Sequence, residues 1–124
     1  NWSQEGINTS IFKGVALLSG IFDTELVCSL SVNKEIQITK REAIINNSFK
    51  NNPIFKVPTI LVYGDQEPKK WIEQSKKYKE FLKNHKLYCT LISCNGHNHF
   101  SLIDMLADKN SKVVKSLIQL SKGY

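Results

Sequence analysis

Pro58-Thr59-Ile60-Leu61-Val62-Tyr63-Gly64-Asp65-Gln66-Glu67 (PTILVYGDQE, residues 58–67) decides the architecture. Thr59 to Tyr63 is apolar without alternation, and Gly64 halts it. A half-buried strand alternates polar and apolar residues. One that does not is covered on both faces, as parallel strands are under crossover helices. The approach to it, Asn51 to Pro58, is rich in turn formers and carries two prolines.

Reading outward, IFKGVALLSG (residues 11–20) holds a second such run, Val15 to Leu18, closed by a Ser-Gly turn signal. Leu87 to Ile92 (LYCTLI) reads as a third strand, followed by a loop from Asn95 to His99. Between the strands, Thr39 to Asn47 is helical in pattern, with Thr39 and Glu42 at capping-box spacing. Trp71, Ser75, Tyr78 and Leu82 recur at helical spacing after Glu67, supported by Ile72 and Phe81. Leu102, Ile103, Met105 and Leu106 predict a short helix, and Val113 to Leu120 a closing one. Strands alternating with helices specify an α/β class with three parallel strands. Three parallel strands alone would leave an apolar edge and a thinly covered face, so the pattern predicts part of a larger sheet.

The whole chain is 124 residues with a formal charge of +6. That is at most one domain, long enough to bury a core without disulfides. No apolar run approaches the ~20 residues a membrane helix needs. The chain opens on Asn1, and Met105 is its sole methionine, so neither a start nor a secretory leader is visible and an upstream segment is expected to be missing. Three cysteines, Cys28, Cys89 and Cys94, make no disulfide framework, and a reducing, cytoplasmic setting is expected. The asparagines of Asn1-Trp2-Ser3, Asn8-Thr9-Ser10 and Asn46-Asn47-Ser48 match the glycosylation pattern, but without a secretory leader they read as chance. Lys69, Lys70, Lys76, Lys77, Lys79, Lys83 and Lys86 face only Glu73 and Glu80, so nearly all the excess charge lies on one helix. Nucleic-acid binding would want arginines and interleaved aromatics, and the one arginine, Arg41, lies elsewhere. The lysines read as a solvated face.

In an open α/β sheet, ligands gather beyond the carboxyl ends of the strands. The loops there hold Gly20-Ile21-Phe22-Asp23, Gly64-Asp65-Gln66-Glu67 and Gly96-His97-Asn98-His99. An acid after one strand and a histidine after the next form two thirds of a nucleophile–base–acid set, lacking the nucleophile. Cys94, His97 and His99 offer a second reading as metal ligands, though no fourth ligand is near in sequence. Glu67 could equally cap the helix that begins near Lys69, Asp23 reads as a turn residue, and Phe22, Trp71 and Phe100 read as core or cleft-wall aromatics.

Four segments in order, KGVALLSGIFD (13–23), TKREAIINNS (39–48), PTILVYGDQE with the following EQS (58–67, 73–75), and NHF (98–100), resemble the kynurenine formamidase (arylformamidase) family of α/β-hydrolases. The resemblance implies that residues 1–124 are the C-terminal part of a single α/β-hydrolase domain. It implies hydrolysis of N-formyl-L-kynurenine to kynurenine and formate in tryptophan degradation, with no metal or organic cofactor. Residue by residue, the acid falls on Glu67 and the catalytic histidine on His99. The second acid Asp65, inside the same turn, stands as the alternative to Glu67. Lys69 and Lys70 replace a Pro-acid pair of the family. The Gly-x-Ser-x-Gly elbow and the His-Gly-Gly oxyanion segment occur nowhere in these residues, and the resemblance puts both upstream. The substrate class is a small molecule, an aryl formamide or ester, with neither nucleic acid nor membrane as partner; a homodimer stays open. Other readings are a carboxylesterase or peptidase-like hydrolase of the same fold, and a non-catalytic interaction module.

Overall fold

The computed structural model describes residues 4–54 and 56–123, so Phe55 and the Asn1-Trp2-Ser3 sequon lie outside the described residues. Three parallel strands, β1 (Val15–Leu18), β2 (Thr59–Gly64) and β3 (Cys89–Cys94), form one sheet in the order β1-β2-β3. Val15 pairs with Thr59 and Thr59 with Cys89, and the ladder runs in step to Gly64 opposite Cys94. The strands and their parallel sense are as the continuous apolar runs predict. β3 begins and ends two residues later than expected, because Leu87 turns its amide back to Leu82 O while Tyr88 O accepts from Thr59 N.

Alternation along β2 splits the core into two. Ile60, Val62, Ile92 and Cys94 pack with Leu102, Val113 and Leu120 on the face covered by α4 (Lys112–Lys122) and the 3-10 turn Ser101–Leu106. Leu61 points the other way, toward the face that α3 (Lys69–Asn84) covers. Ile60 and Leu61 are each at or below 1% exposed, and burial of such side chains is worth ~1.5–3 kcal/mol each. Helices on both faces are what the absence of alternation demanded. α3 buries Gln74, Ser75 and Leu82 and turns most of its lysines to solvent. Among the described residues no helix is long and apolar enough to cross a membrane.

α2 (Lys40–Ile45) starts at Thr39 with both arms of the capping box made. Two elements between β1 and α2 escape the sequence pattern: a 3-10 turn, Thr24–Ser29, and the single helical turn α1 (Asn33–Ile36). Asp23 caps the 3-10 turn, its Oδ1 accepting from Glu25 N and from Asn47 Nδ2. The expected helix at Leu102–Leu106 is likewise 3-10. An aromatic stack ties this insertion to α3: Phe22 lies flat on Tyr78 with centroids 4.0 Å apart, and Phe49 meets the edges of Tyr78 and Phe81.

Candidate active site

The carboxyl ends of all three strands open on one rim, and the backbone laces the loops after β2 and β3 together. Asp65 N donates to Cys94 O at 3.1 Å and Gln66 N to His97 O at 3.0 Å. In return Gly96 N donates to Asp65 Oδ1 at 2.7 Å. Gly64 is required at this crossing, since any Cβ there would collide with the His97 carbonyl.

Asp65 and Glu67 are thereby sorted by environment. Asp65 is exposed and its carboxylate pins the β3 loop. Glu67 is 6% exposed, and its Oε1 is, among the described residues, the one buried side-chain oxygen without a hydrogen bond. It does not cap α3: Pro68 holds the N-cap position and no side chain caps that end. A buried carboxylate oxygen without a hydrogen bond is costly, and such atoms mark places where something is to be bound or a charge is to appear.

His99 sits on a turn that the sequence dictates locally. Asn98 Oδ1 accepts from the amides of Phe100 and Ser101, and Ser101 Oγ accepts from Asn98 N. The exposed imidazole meets Trp71 edge to face at 5.0 Å and Phe100 at 5.4 Å. Its Nδ1 lies 2.6 Å from Ser19 Oγ, a partner 80 residues away at the end of β1. Among the described residues no hydrogen bond joins Glu67 to His99. His97 is directed elsewhere, its Nδ1 2.9 Å from Ser101 O, and Cys94 is in the core, where burial raises its thiol pKa. Cys94, His97 and His99 therefore do not converge, and no group of three or more metal-ligating side chains is found among the described residues.

Ser19 is the site residue that the sequence pattern did not single out. The Ser-Gly pair closing β1 carries only a turn signal, but Ser19 is buried and has φ +51°, a left-handed conformation uncommon outside glycine. The segment that follows is anchored to α3: Gln74 Oε1 accepts from both Phe22 N and Asp23 N at 2.8 Å. Ile21, Leu26, Leu30, Trp71 and Gln74 line a small hollow of about 40 Å³ beside this rim.

Parallel strands with helices on both faces and an acid and a histidine at neighbouring strand ends are features of the α/β-hydrolase class. A solved structure from Silicibacter sp. TM1040, a proposed thioesterase, shares the fold with a TM-score of 0.73 at 18% identity, over 90% of this chain and 42% of that one. The chain resembles kynurenine formamidase in particular. It is 28% identical over 126 residues to the enzyme of Danio rerio and 25% identical over 126 residues to that of Salmo salar. Each match covers 97% of this chain but only 42% of the relative's length. No protein-family model matches.

Proposed function

We propose that residues 1–124 are the C-terminal part of a serine hydrolase domain that cleaves N-formyl-L-kynurenine to kynurenine and formate. The observation that carries this reading is the likeness to two kynurenine formamidases along 97% of the chain. A serine from the remainder of the domain attacks the formyl carbonyl while His99 Nε2 takes its proton. The proton then passes to the departing aniline nitrogen, and water, deprotonated by the same imidazole, clears the formyl ester as formate. Glu67 supplies the buried negative charge that favours the imidazolium. Trp71 and the hollow beside it offer an apolar wall suited to an aryl group.

The test is a rate measurement on the complete protein. It is expected to turn over N-formyl-L-kynurenine faster than short aryl esters, and His99→Ala is expected to remove ~10⁴ or more of kcat. Residues 1–124 alone, lacking the elbow serine, are expected to be silent toward both. Turnover by that piece, abolished by His99→Ala, would overturn the assignment of the nucleophile to another segment.

A further inference from the structure

Lys70 and Gln74 stand one turn apart on α3, at the i, i+4 spacing that sets two side chains on one helix face. Both line the small hollow beside Trp71. The rest of that lining is apolar except for Ser29, whose hydroxyl already donates to Leu26 O at 2.8 Å. The orientation of the Gln74 amide is fixed by its partners. Backbone N–H groups can only donate, so the atom that meets both Phe22 N and Asp23 N at 2.8 Å is the oxygen. Nε2 is thereby turned away from those two amides, and among the described residues it has no acceptor. The residue is 4% exposed, and an NH2 without an acceptor in such a place is a cost that a ligand can remove.

Lys70 is likewise uncommitted. Its ammonium forms no ion pair among the described residues, although Asp23 and Glu73 border with it an adjoining hollow of about 240 Å³. Asp23 Oδ1 is occupied by Glu25 N and Asn47 Nδ2. Lys70 also lies in the first turn of α3, an end with no acidic residue and no side-chain cap, where the helix dipole disfavours a cation. A lysine there weakens the helix rather than supports it. Two donors at one small hollow, one charged and one held in a fixed plane, match the two oxygens of a carboxylate.

We propose that Lys70 and Gln74 Nε2 together bind the carboxylate of the substrate, so that the site takes aryl formamides or esters bearing an acid group in preference to neutral ones. The proposal deepens the formamidase reading and rests on it for the first substrate of its test. In N-formyl-L-kynurenine the carboxylate ends a short chain ortho to the formamide. A ring seated on Trp71 with its formamide at His99 brings that chain to the hollow, which Trp71 also lines. The complete protein is assayed on N-formyl-L-kynurenine and on its carboxamide, which differ by one charge. The acid is expected to have the higher kcat/KM by about fivefold to tenfold, as suits a charge-assisted contact that water partly screens. Lys70→Met is expected to remove most of that ratio and Lys70→Glu to invert it, with the loss in KM rather than kcat, as for binding shared by ground and transition states. Gln74→Glu keeps an oxygen for the two amides and exchanges the donor for a second oxygen, so it is expected to act as Lys70→Met does. Lys69→Met, whose side chain does not line the hollow, is expected to leave the ratio unchanged. Lys70→Glu places an acid in the first turn of α3, so its thermal midpoint is expected to hold or rise while its KM worsens.

Equal kcat/KM for acid and carboxamide, or a ratio that Lys70→Met does not move, would overturn the proposal while leaving the formamidase function intact. An equal effect of Lys69→Met would overturn it too, by showing a diffuse field of lysines in place of a contact. If formylkynurenine is not hydrolysed, the same ratio is read on 3-acetoxybenzoate against 3-acetoxybenzamide. A preference for the former that Lys70→Met removes would then defeat the function and uphold the carboxylate site, and no preference would overturn both.

Discussion

The carbonyl oxygen of His97 occupies the space into which a Cβ on Gly64 would project. The loop after β2 and the loop after β3 thus touch backbone to backbone, with no side chain between them. The obstructing atom is a carbonyl held by Gln66 N, so it cannot rotate away as a side-chain tip would. Gly64→Ala is expected to destabilise by about 1–3 kcal/mol, as overpacking does. It should also lower kcat by displacing the His99 turn. Calorimetry and steady-state rates on the complete protein read both; an alanine variant with an unaltered midpoint would show that the loops yield more easily than their packing indicates.

Asp65 and Glu67, two residues apart in one turn, are expected to separate by kind of damage. Asp65→Ala deletes the acceptor of Gly96 N and should cost roughly 1–2 kcal/mol of stability with little direct effect on the chemical step. Glu67→Gln keeps the volume of a buried side chain and removes its charge. It should preserve or raise the thermal midpoint and lower kcat on the order of 10²-fold or more. The reverse pattern would transfer the acid role to Asp65.

Gln74 Oε1 accepts from two consecutive amides, those of Phe22 and Asp23, and the residue is itself 4% exposed. Gln74→Leu would fill the space and leave both amides without a partner. The expected cost is about 2–4 kcal/mol, from ~1–3 per buried unsatisfied group. Hydrogen exchange should show the amides at 22 and 23 losing protection before those of β2 do.

Burial pushes the Cys89 thiol up to about 11, against a smaller opposing effect of Lys79. At pH 8 the reactive thiolate is then a ~10⁻³ fraction of the thiol, so alkylation of Cys89 by iodoacetamide should be roughly a hundredfold slower than that of an unperturbed cysteine. Mass spectrometry of a timed labelling reaction measures this. Rapid modification of Cys89 in the folded protein would mean that its strand opens.

The capping box of α2 couples helix stability to acid. The Thr39 amide and hydroxyl donate to Glu42 Oε2, and these bonds hold the Glu42 carboxyl below the usual glutamate range. A carboxyl depressed by folding contributes stability that is present at neutral pH and is lost as pH falls through its folded value. Thr39→Ala removes the cap, at a cost of about 1 kcal/mol at pH 7. The gap between wild type and variant should narrow as denaturation is repeated at pH 3, and a constant gap would contradict the coupling.

Much of this fold could be read from residue order because each strand is buried on both faces, which leaves an unbroken apolar run. The end of β3 could not: Ser93 and Cys94 look like loop residues, and only pairing with Tyr63 and Gly64 keeps them in the ladder. The Thr24–Ser29 turn was hidden because an Asp that caps a 3-10 turn looks the same, locally, as one that closes a bend. His99 and Glu67 were approachable through short local patterns. The contact between Ser19 and His99 was not, since it spans 80 residues, and neither it nor the left-handed backbone angle of Ser19 leaves a periodic trace.

α3 holds the rim from two directions. Gln74 grips the chain that follows Ser19, and one turn earlier Trp71 sets its ring against the edge of His99. The separation of the two hydrogen-bonded partners is therefore governed by a single rod, in the way two pins are spaced by the bar that carries them. Any loosening of that rod against the sheet would spoil their alignment while the strands were still paired. Heating should accordingly extinguish activity below the temperature at which the sheet melts, and the interval between the two events measures how firmly α3 is seated.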